Sequence, residues 1–365
     1  MSQVWPDWLP LRADLRSLSP YGAPQLESLA RLNTNENPYP PSERLIKAIT
    51  ERIAEVSTSL NRYPDRDALQ LRAGLAAFLN ERSHVSLKAA EIWAANGSNE
   101  IIQSLFMAFG KGKALGFTPS YSMHPLIATV MGTPWVSGIR QDDFSIDIAL
   151  AMTQIKREEP DLIFLTTPNN PTGTSVSLSD IACLAEAARE VGGLMVVDEA
   201  YAEFSNVPSA ITLLAQFPNL IVIRTMSKAF AFAGVRLGYL ASHPAVVEAM
   251  QLVRLPYHLS TLTQSVALVA LDYRVELLES VATLIKAREA LTLELERFGV
   301  RVLPSNANFL LFAVPSSREV WQSLLDQGVL IRDVGLSGYL RVTIGTEEEN
   351  KRFLNALRTS LGGIK

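Results

Sequence analysis

Cysteine is almost absent from this chain. Cys183 is the single one in 365 residues, so no intramolecular disulfide can form, which agrees with a reducing compartment. Its setting, Ile-Ala-Cys-Leu-Ala, is apolar and helical, so the expected place is the core and not a nucleophile's position. Histidine is nearly as scarce. His84, His124, His243 and His258 are scattered without metal-ligand spacing, and no metal site is expected. An excess of positive charge is also missing. With 33 Lys and Arg against 37 Asp and Glu, the net charge is −4, which leaves no basic footprint for nucleic acid. Apolar runs such as Phe309 to Val314 are far shorter than a membrane span requires. The opening MSQVWPDWLP has neither a basic stretch nor a continuous apolar one, so no signal peptide is expected. These absences lead to the expectation of a generic cytoplasmic enzyme, with neither membrane nor nucleic acid as partner.

What remains is ample for a core. The chain is 48% hydrophobic and 19% charged, which suits one large and one smaller domain. Residues 1–30 are rich in proline without sustained periodicity and read as an arm. Amphipathic helical stretches follow at Ser42–Val56 and Asp67–Glu81. They alternate with short apolar runs at Ala114–Phe117, Leu162–Leu165, Leu194–Val197, Leu220–Ile223 and Gly238–Leu240, each bounded by Gly, Pro, Asn or Asp. Such runs between helices predict an α/β fold with a mostly parallel sheet covered on both faces. Pro244–Leu295 reads as long helix with few breakers. Beyond it, Val300–Leu303, Phe309–Val314, Val329–Ile331 and Leu340–Ile344 with helices at Ser317–Gln327 and Thr346–Leu361 predict an α+β cap. The expected division is an arm over 1–30, a large domain over 31–255 and a small C-terminal domain over 256–365.

Polar clusters follow three of the predicted strands directly: 166–173, 198–201 and 224–228. In open α/β sheets ligands sit at the carboxyl ends of strands, so these clusters point to one shared site. Lys228 lies among small and apolar residues in Arg-Thr-Met-Ser-Lys-Ala-Phe (224–230), where desolvation would lower its amine pKa and make it a nucleophile. Read alone, a lysine in such a place is more often solvated. Thr225, Ser227 and Arg236 suit a phosphate. Asp198, at the end of an apolar strand, needs a cation such as a protonated pyridine nitrogen, or else caps the next helix. Tyr201 either packs or donates to a phenolic oxygen. Asn170 lies in Pro-Asn-Asn-Pro, which is strong turn chemistry in its own right. In Ala-Asn-Gly-Ser-Asn-Glu (95–100), Ser98 and Asn99 open a helix that either cups a phosphate or is ordinarily capped. Tyr121 either stacks on a ring or lines the core.

Together these motifs resemble the fold-type I pyridoxal-phosphate enzymes, within the class I and II aminotransferases, and they occur in family order over nearly the whole chain. The resemblance implies a seven-stranded-type large domain with pyridoxal 5′-phosphate bound to Lys228 as a Schiff base. It places Asp198 on the pyridine nitrogen, Asn170 and Tyr201 on the phenolic oxygen and Tyr121 over the ring. Ser98, Asn99, Thr225, Ser227 and Arg236 would hold the phosphate. Catalysis would fall to Lys228, Asp198 and Tyr201.

More narrowly, five segments are similar to the histidinol-phosphate aminotransferases: Leu-Asn-Thr-Asn-Glu-Asn-Pro-Tyr (32–39), Asn-Arg-Tyr-Pro-Asp (61–65), Ser-Asn-Ala-Asn-Phe (305–309), Ile-Arg-Asp (331–333) and Leu-Arg-Val-Thr-Ile-Gly (340–345). That similarity implies a homodimer in which Tyr63 reaches the neighbouring subunit's cofactor phosphate. It also implies substrate contacts from Tyr21, Asn170, Arg332, Arg341 and Tyr257, with Arg341 on the carboxylate and Arg332 and Tyr21 near the substrate phosphate. The arm departs from the family's Pro-Tyr-x-Pro-Gly, reading Pro20-Tyr21-Gly22-Ala23-Pro24. The implied reaction transfers an amino group from L-histidinol phosphate to 2-oxoglutarate. Aromatic aminotransferases share every cofactor motif and stand as the alternative. A threonine-phosphate decarboxylase-like enzyme fits less well with the Asn-Glu-Asn-Pro segment. An effector-sensing domain of a transcription factor would need a DNA-binding module.

Overall fold

Short apolar runs closed by turn formers become strands, and the stripes of apolar residues between them become helices. The structure, a computed structural model, describes residues 5–20 and 22–362. A short β1 (Ala30–Arg31) precedes β2 (Ile92–Ala95), β3 (Ala114–Thr118), β4 (Trp135–Ile139) and β5 (Leu162–Thr166). Next come β6 (Leu194–Asp198), β7 (Leu220–Thr225) and β8 (Gly238–Ser242). Strands β2 to β8 form one seven-stranded sheet in the order β2-β8-β7-β6-β5-β3-β4. All its pairings are parallel except those of β8, which runs against both neighbours.

Every residue of β5, β7 and β8 is buried, as expected of strands covered on both faces. Alternation divides their side chains between two cores. Val196, Ile221, Ile223 and Leu240 face one way, with residues of helices Ser98–Phe109 and Pro244–Val253. Val197, Val222 and Ala241 face the other, with helix Leu178–Glu190 and the C-terminal elements. Those elements include β9 (Phe309–Ala313), β10 (Val329–Leu330), β11 (Arg332–Asp333) and β12 (Tyr339–Thr343). An antiparallel sheet runs β11-β12-β9, while β1 pairs in parallel with β10. Ala30–Arg31 is thereby joined to the C-terminal strand β10 in a two-stranded sheet of its own.

Several expectations need correction. Pro244–Leu295 is three helices, Pro244–Val253, Thr261–Asp272 and Arg274–Arg297. The break contains Pro256, which offers no N–H, and Tyr257 at φ 55°. Ser260 then caps the next helix by accepting from the Thr263 N–H. Val300–Leu303 supplies only a bridge, Val302 to Phe312. The apolar runs of β2 and β4 are strands although neither was expected. Cys183 is exposed: Ile181, Leu184, Ala185 and Ala188 form the buried stripe of its helix, and Cys183 falls outside that stripe. Among the described residues, no helix is long and apolar enough to cross a membrane. No cluster of three or more His, Cys, Asp or Glu there could hold a metal ion.

Candidate active site

The carboxyl ends of β5, β6 and β7 deliver Asn170, Asp198 and Lys228 to one cavity of about 890 Å³. Ser98, Asn99, Tyr121, Tyr201, Thr225, Ser227 and Arg236 also line it, and Arg332 and Arg341 reach it from the antiparallel sheet. Residues scattered over two-thirds of the chain therefore meet where strand-end chemistry places a ligand. Tyr21 lies outside the described residues.

One end of the cavity is built for an anion. Helix Ser98–Phe109 starts after Gly97 at φ +86°, and the first N–H groups of a helix have no partners within it. A Cβ on Gly97 would stand 2.5 Å from Nη2 of Arg236, and one on Gly238 would stand 2.4 Å from the Ser98 nitrogen. Bare glycine backbone thus lets the guanidinium and β8 close onto the helix start. The Thr225 hydroxyl lies 3.1 Å from the Leu237 carbonyl and accepts from the Ser227 N–H at 3.2 Å. Arg236 Nη1 is 3.5 Å from Ser227 Oγ. Two hydroxyls, a guanidinium and a helix N-terminus form a donor set suited to a phosphate dianion.

Deeper in, the buried Asp198 accepts from the Ala200 N–H at 3.1 Å, and His124 Nε2 lies 3.2 Å from its other oxygen. Both contacts hold the carboxylate in place. Tyr121 donates to Asn99 Oδ1 at 3.1 Å, and its ring meets His124 edge-on at 5.4 Å. Across the cavity, Tyr201 accepts from Asn35 Nδ2 at 2.9 Å. Lys228 is half-buried, opening onto the cavity it lines, and donates from Nζ to the Thr34 carbonyl at 2.9 Å. Burial above all, then the positive charge of Arg341 with a smaller contribution from Arg236, pushes its amine down to about 8 against the pull of Glu36.

On the antiparallel-sheet side, Arg341 donates from Nη1 to Asn170 Oδ1 at 2.5 Å and from Nη2 to the Asn33 carbonyl at 2.8 Å. Its guanidinium also lies 5.1 Å from the Phe309 ring centre. Arg332 and Arg341 are direct cross-strand partners, so their side chains share one face of the sheet. Two guanidiniums on one face favour a ligand with anionic ends.

Sequence reasoning did not single out Thr34, Asn35 or His124. Asn35 links the segments. Its N–H donates to Thr343 Oγ1 at 3.0 Å, Asn308 Nδ2 donates to its carbonyl at 3.1 Å, and its amide reaches Tyr201. The signal was present in the 32–39 motif, but nothing local tied that motif to Tyr201. His124, three residues after Tyr121, carried no sign of its carboxylate partner.

Two expected residues lie elsewhere. Tyr63 and Tyr257 stack on each other, ring centres 4.3 Å apart and planes 13° apart. Both are exposed, and neither lines the cavity. The expectation of Tyr257 on the substrate side is not met within this chain, because its left-handed backbone after Pro256 directs it to the surface stack. Tyr63 is likewise no part of its own chain's cavity.

The residues present fit pyridoxal 5′-phosphate. The glycine-cleared cradle suits its phosphate, the held carboxylate of Asp198 suits a protonated ring nitrogen, and an amine with lowered pKa suits its carbonyl carbon. Comparison with known proteins agrees. Residues 27–357 match the family described as aminotransferase class I and II. The histidinol-phosphate aminotransferase of Thermobifida fusca is 57% identical over 361 residues, covering 98% of this chain and 96% of that relative. That of Mycolicibacterium vanbaalenii is 55% identical over 360 residues, covering 97% and 96%. Among solved structures, the Clostridium acetobutylicum histidinol-phosphate aminotransferase superposes with a TM-score of 0.83 at 26% identity, covering 92% of this chain and all of that one. The Sinorhizobium meliloti enzyme, solved with pyridoxal-5′-phosphate, shares the fold with a TM-score of 0.85 at 23% identity, covering 98% of each chain.

Proposed function

The chain belongs to the class I and II aminotransferases, and we propose that it moves an amino group between L-histidinol phosphate and 2-oxoglutarate, in histidine biosynthesis. The observation that carries this reading is the Arg332–Arg341 pair on one face of the sheet beside Lys228. One substrate carries a phosphate dianion and the other two carboxylates, so each presents anionic oxygens to guanidiniums at this face of the cavity. The relatives named above support the choice of amino donor. With 2-oxoglutarate as acceptor, kcat/KM for histidinol phosphate should exceed that for phenylalanine by at least about 100-fold, because phenylalanine leaves the phosphate-binding cation unpaired. Equal or reversed values would make this an aromatic aminotransferase.

Pyridoxal 5′-phosphate, when bound, supplies a carbon that exchanges amines and a ring that draws off the electron pair left when a proton departs from the substrate. Lys228 would hold the cofactor through Nζ, and that same amine, when free, would take the proton from the substrate's α-carbon. An amine brought down to about 8 has a far larger neutral fraction near neutral pH than an ordinary lysine, which suits that task. Asp198 keeps a proton on the ring nitrogen, with His124 and the Ala200 N–H fixing its carboxylate. Asn170 and Tyr201 bind the phenolic oxygen, and Tyr121 covers the ring face. Ser98, Asn99, Thr225, Ser227 and Arg236 bind the cofactor phosphate. Arg341 binds a carboxylate or the phosphate end of histidinol phosphate, depending on the half-reaction, and Arg332 with Tyr21 lies around the substrate phosphate.

The working unit proposed is a homodimer in the cytoplasm, with small molecules as substrates. In the chain just before Tyr257 of the exposed Tyr63–Tyr257 stack, Leu252 and Leu255 are 86% and 75% exposed. A partner subunit covering this apolar surface would give Tyr63 its place at the partner's cofactor phosphate. A solution mass of one chain would rule that out.

A further inference from the structure

Strand alternation turns successive side chains to opposite faces, and at the ends of β6 and β7 the two faces carry different chemistry. Asp198 and Thr225 face the cavity. Their neighbours Glu199 and Arg224 face away, where Arg224 is the cross-strand partner of Tyr239. Arg224 donates from Nε to Glu199 Oε2 at 2.9 Å, from Nη1 to Glu203 Oε1 at 2.7 Å and from Nη2 to Ser209 Oγ at 2.9 Å. Glu199 also accepts from the Ser209 hydroxyl and the Ala210 N–H, both at 2.6 Å. All three charged side chains are almost wholly buried. The Glu199 N–H donates to the Ile223 carbonyl, so the group spans the last rung between β6 and β7.

A buried ion triad is a weak source of stability, since apolar side chains of similar volume often replace one without loss. Its placement is specific, however. Glu199 adjoins Asp198, Arg224 adjoins Thr225, and Glu203 follows Tyr201 by two residues. Each arm of the triad is attached to a different residue of the cavity lining. The planar guanidinium fork is the one side chain able to hold three such acceptors in fixed directions.

We propose that Glu199, Arg224 and Glu203 are positioning residues, a clamp behind the sheet that fixes Asp198, Thr225 and Tyr201 in the arrangement that binds the cofactor's ring and phosphate. This rests on the cofactor reading above. The test uses the triple variant R224M/E199Q/E203M, which removes all three charges, while the amide oxygen introduced by E199Q still accepts from the Ala210 N–H. Thermal unfolding of the apoprotein should change little. Pyridoxal phosphate should nonetheless bind roughly tenfold more weakly, the scale on which outer partners act on the groups they orient. The pH midpoint of its visible band should also move away from the wild-type value. A folded triple variant with wild-type cofactor affinity and midpoint would overturn the proposal and leave the clamp a folding element. If the triple variant does not fold, R224K decides on the same two readouts: a lysine keeps the charge but not the fork, and unchanged values in folded R224K protein overturn the proposal. Wild-type protein that binds no pyridoxal phosphate would overturn the cofactor reading and this inference with it.

Discussion

The two halves of the cavity are held in different ways. In the cofactor half, these side chains are each held by a hydrogen-bond partner: Asp198 by His124, Tyr121 by Asn99, Tyr201 by Asn35, and Lys228 by the backbone carbonyl of Thr34. In the substrate half, Arg341 is similarly anchored, while Arg332 lies on a strand of two residues and Tyr257, expected on this side, stands outside the cavity on the surface. The contrast follows from the scaffold. Cofactor residues sit at the ends of buried parallel strands, where desolvated polar groups must find partners. Of the substrate residues, Arg332 sits instead on a two-residue edge strand. Rigid placement at one end and adjustable placement at the other suit an enzyme that keeps one cofactor and admits two substrates.

The largest expected effect tests the rigid half. Lys228→Ala should lower turnover by about 10⁴-fold or more and abolish the visible band of the lysine-bound cofactor; retention of both would remove Lys228 from the chemistry. The same lysine predicts a pH signature in the apoprotein. Its folded pKa is depressed from 10.5 to about 8. The unfolded chain therefore binds more protons between those values, and the penalty is full below pH 8 and fades as pH rises toward 10.5. Relative to Lys228→Met, wild-type apoprotein should be less stable at pH 7 by about 3 kcal/mol at most and should recover that difference above pH 10. Parallel stability curves for the two proteins would show that the amine is not desolvated.

Arg332→Ala probes the adjustable half. It should lower kcat/KM for the phosphorylated donor by roughly 10- to 100-fold, the loss of a charge-assisted bond, and leave 2-oxoglutarate within about twofold. Equal losses for both would deny Arg332 a role at the phosphate. The smallest effect concerns the base of the aromatic stack. Asp67, held down at about 2 by its hydrogen bonds to Arg66 and Arg254, ties the chain after Tyr63 to the chain before Tyr257. Its contribution is present above pH 3.8 and is lost as pH falls through 2. Asp67→Asn should cost about 1 kcal/mol at neutral pH, discounted for the exposed Arg66. No change in the chemical denaturation midpoint at pH 7 would show that the ion pairs are not formed in solution.

Legibility in the sequence followed the range of the interactions involved. Strands β3, β5, β6, β7 and β8 were readable because a buried strand is a short apolar run with turn formers beside it. Asn170, Asp198 and Lys228 were readable because they follow such runs directly. The break at Arg254–Ser260 was missed because the helical propensity of its flanks conceals one proline. Cys183 was misplaced by an apolar neighbourhood that, wound at 3.6 residues per turn, does not all face inward.

By itself, the sequence determined the layered α/β scaffold and the strand ends that carry the lysine, the carboxylate and the phosphate ligands, since these depend on periodicity and local turn chemistry. Only the tertiary structure decided that the Thr34 carbonyl meets Lys228 across 194 residues, that His124 holds Asp198, that Arg332 pairs with Arg341, and that a charged clamp lies behind the site. Such meetings depend on strand order, register and the closing of one sheet against another, which no local stretch of chain encodes.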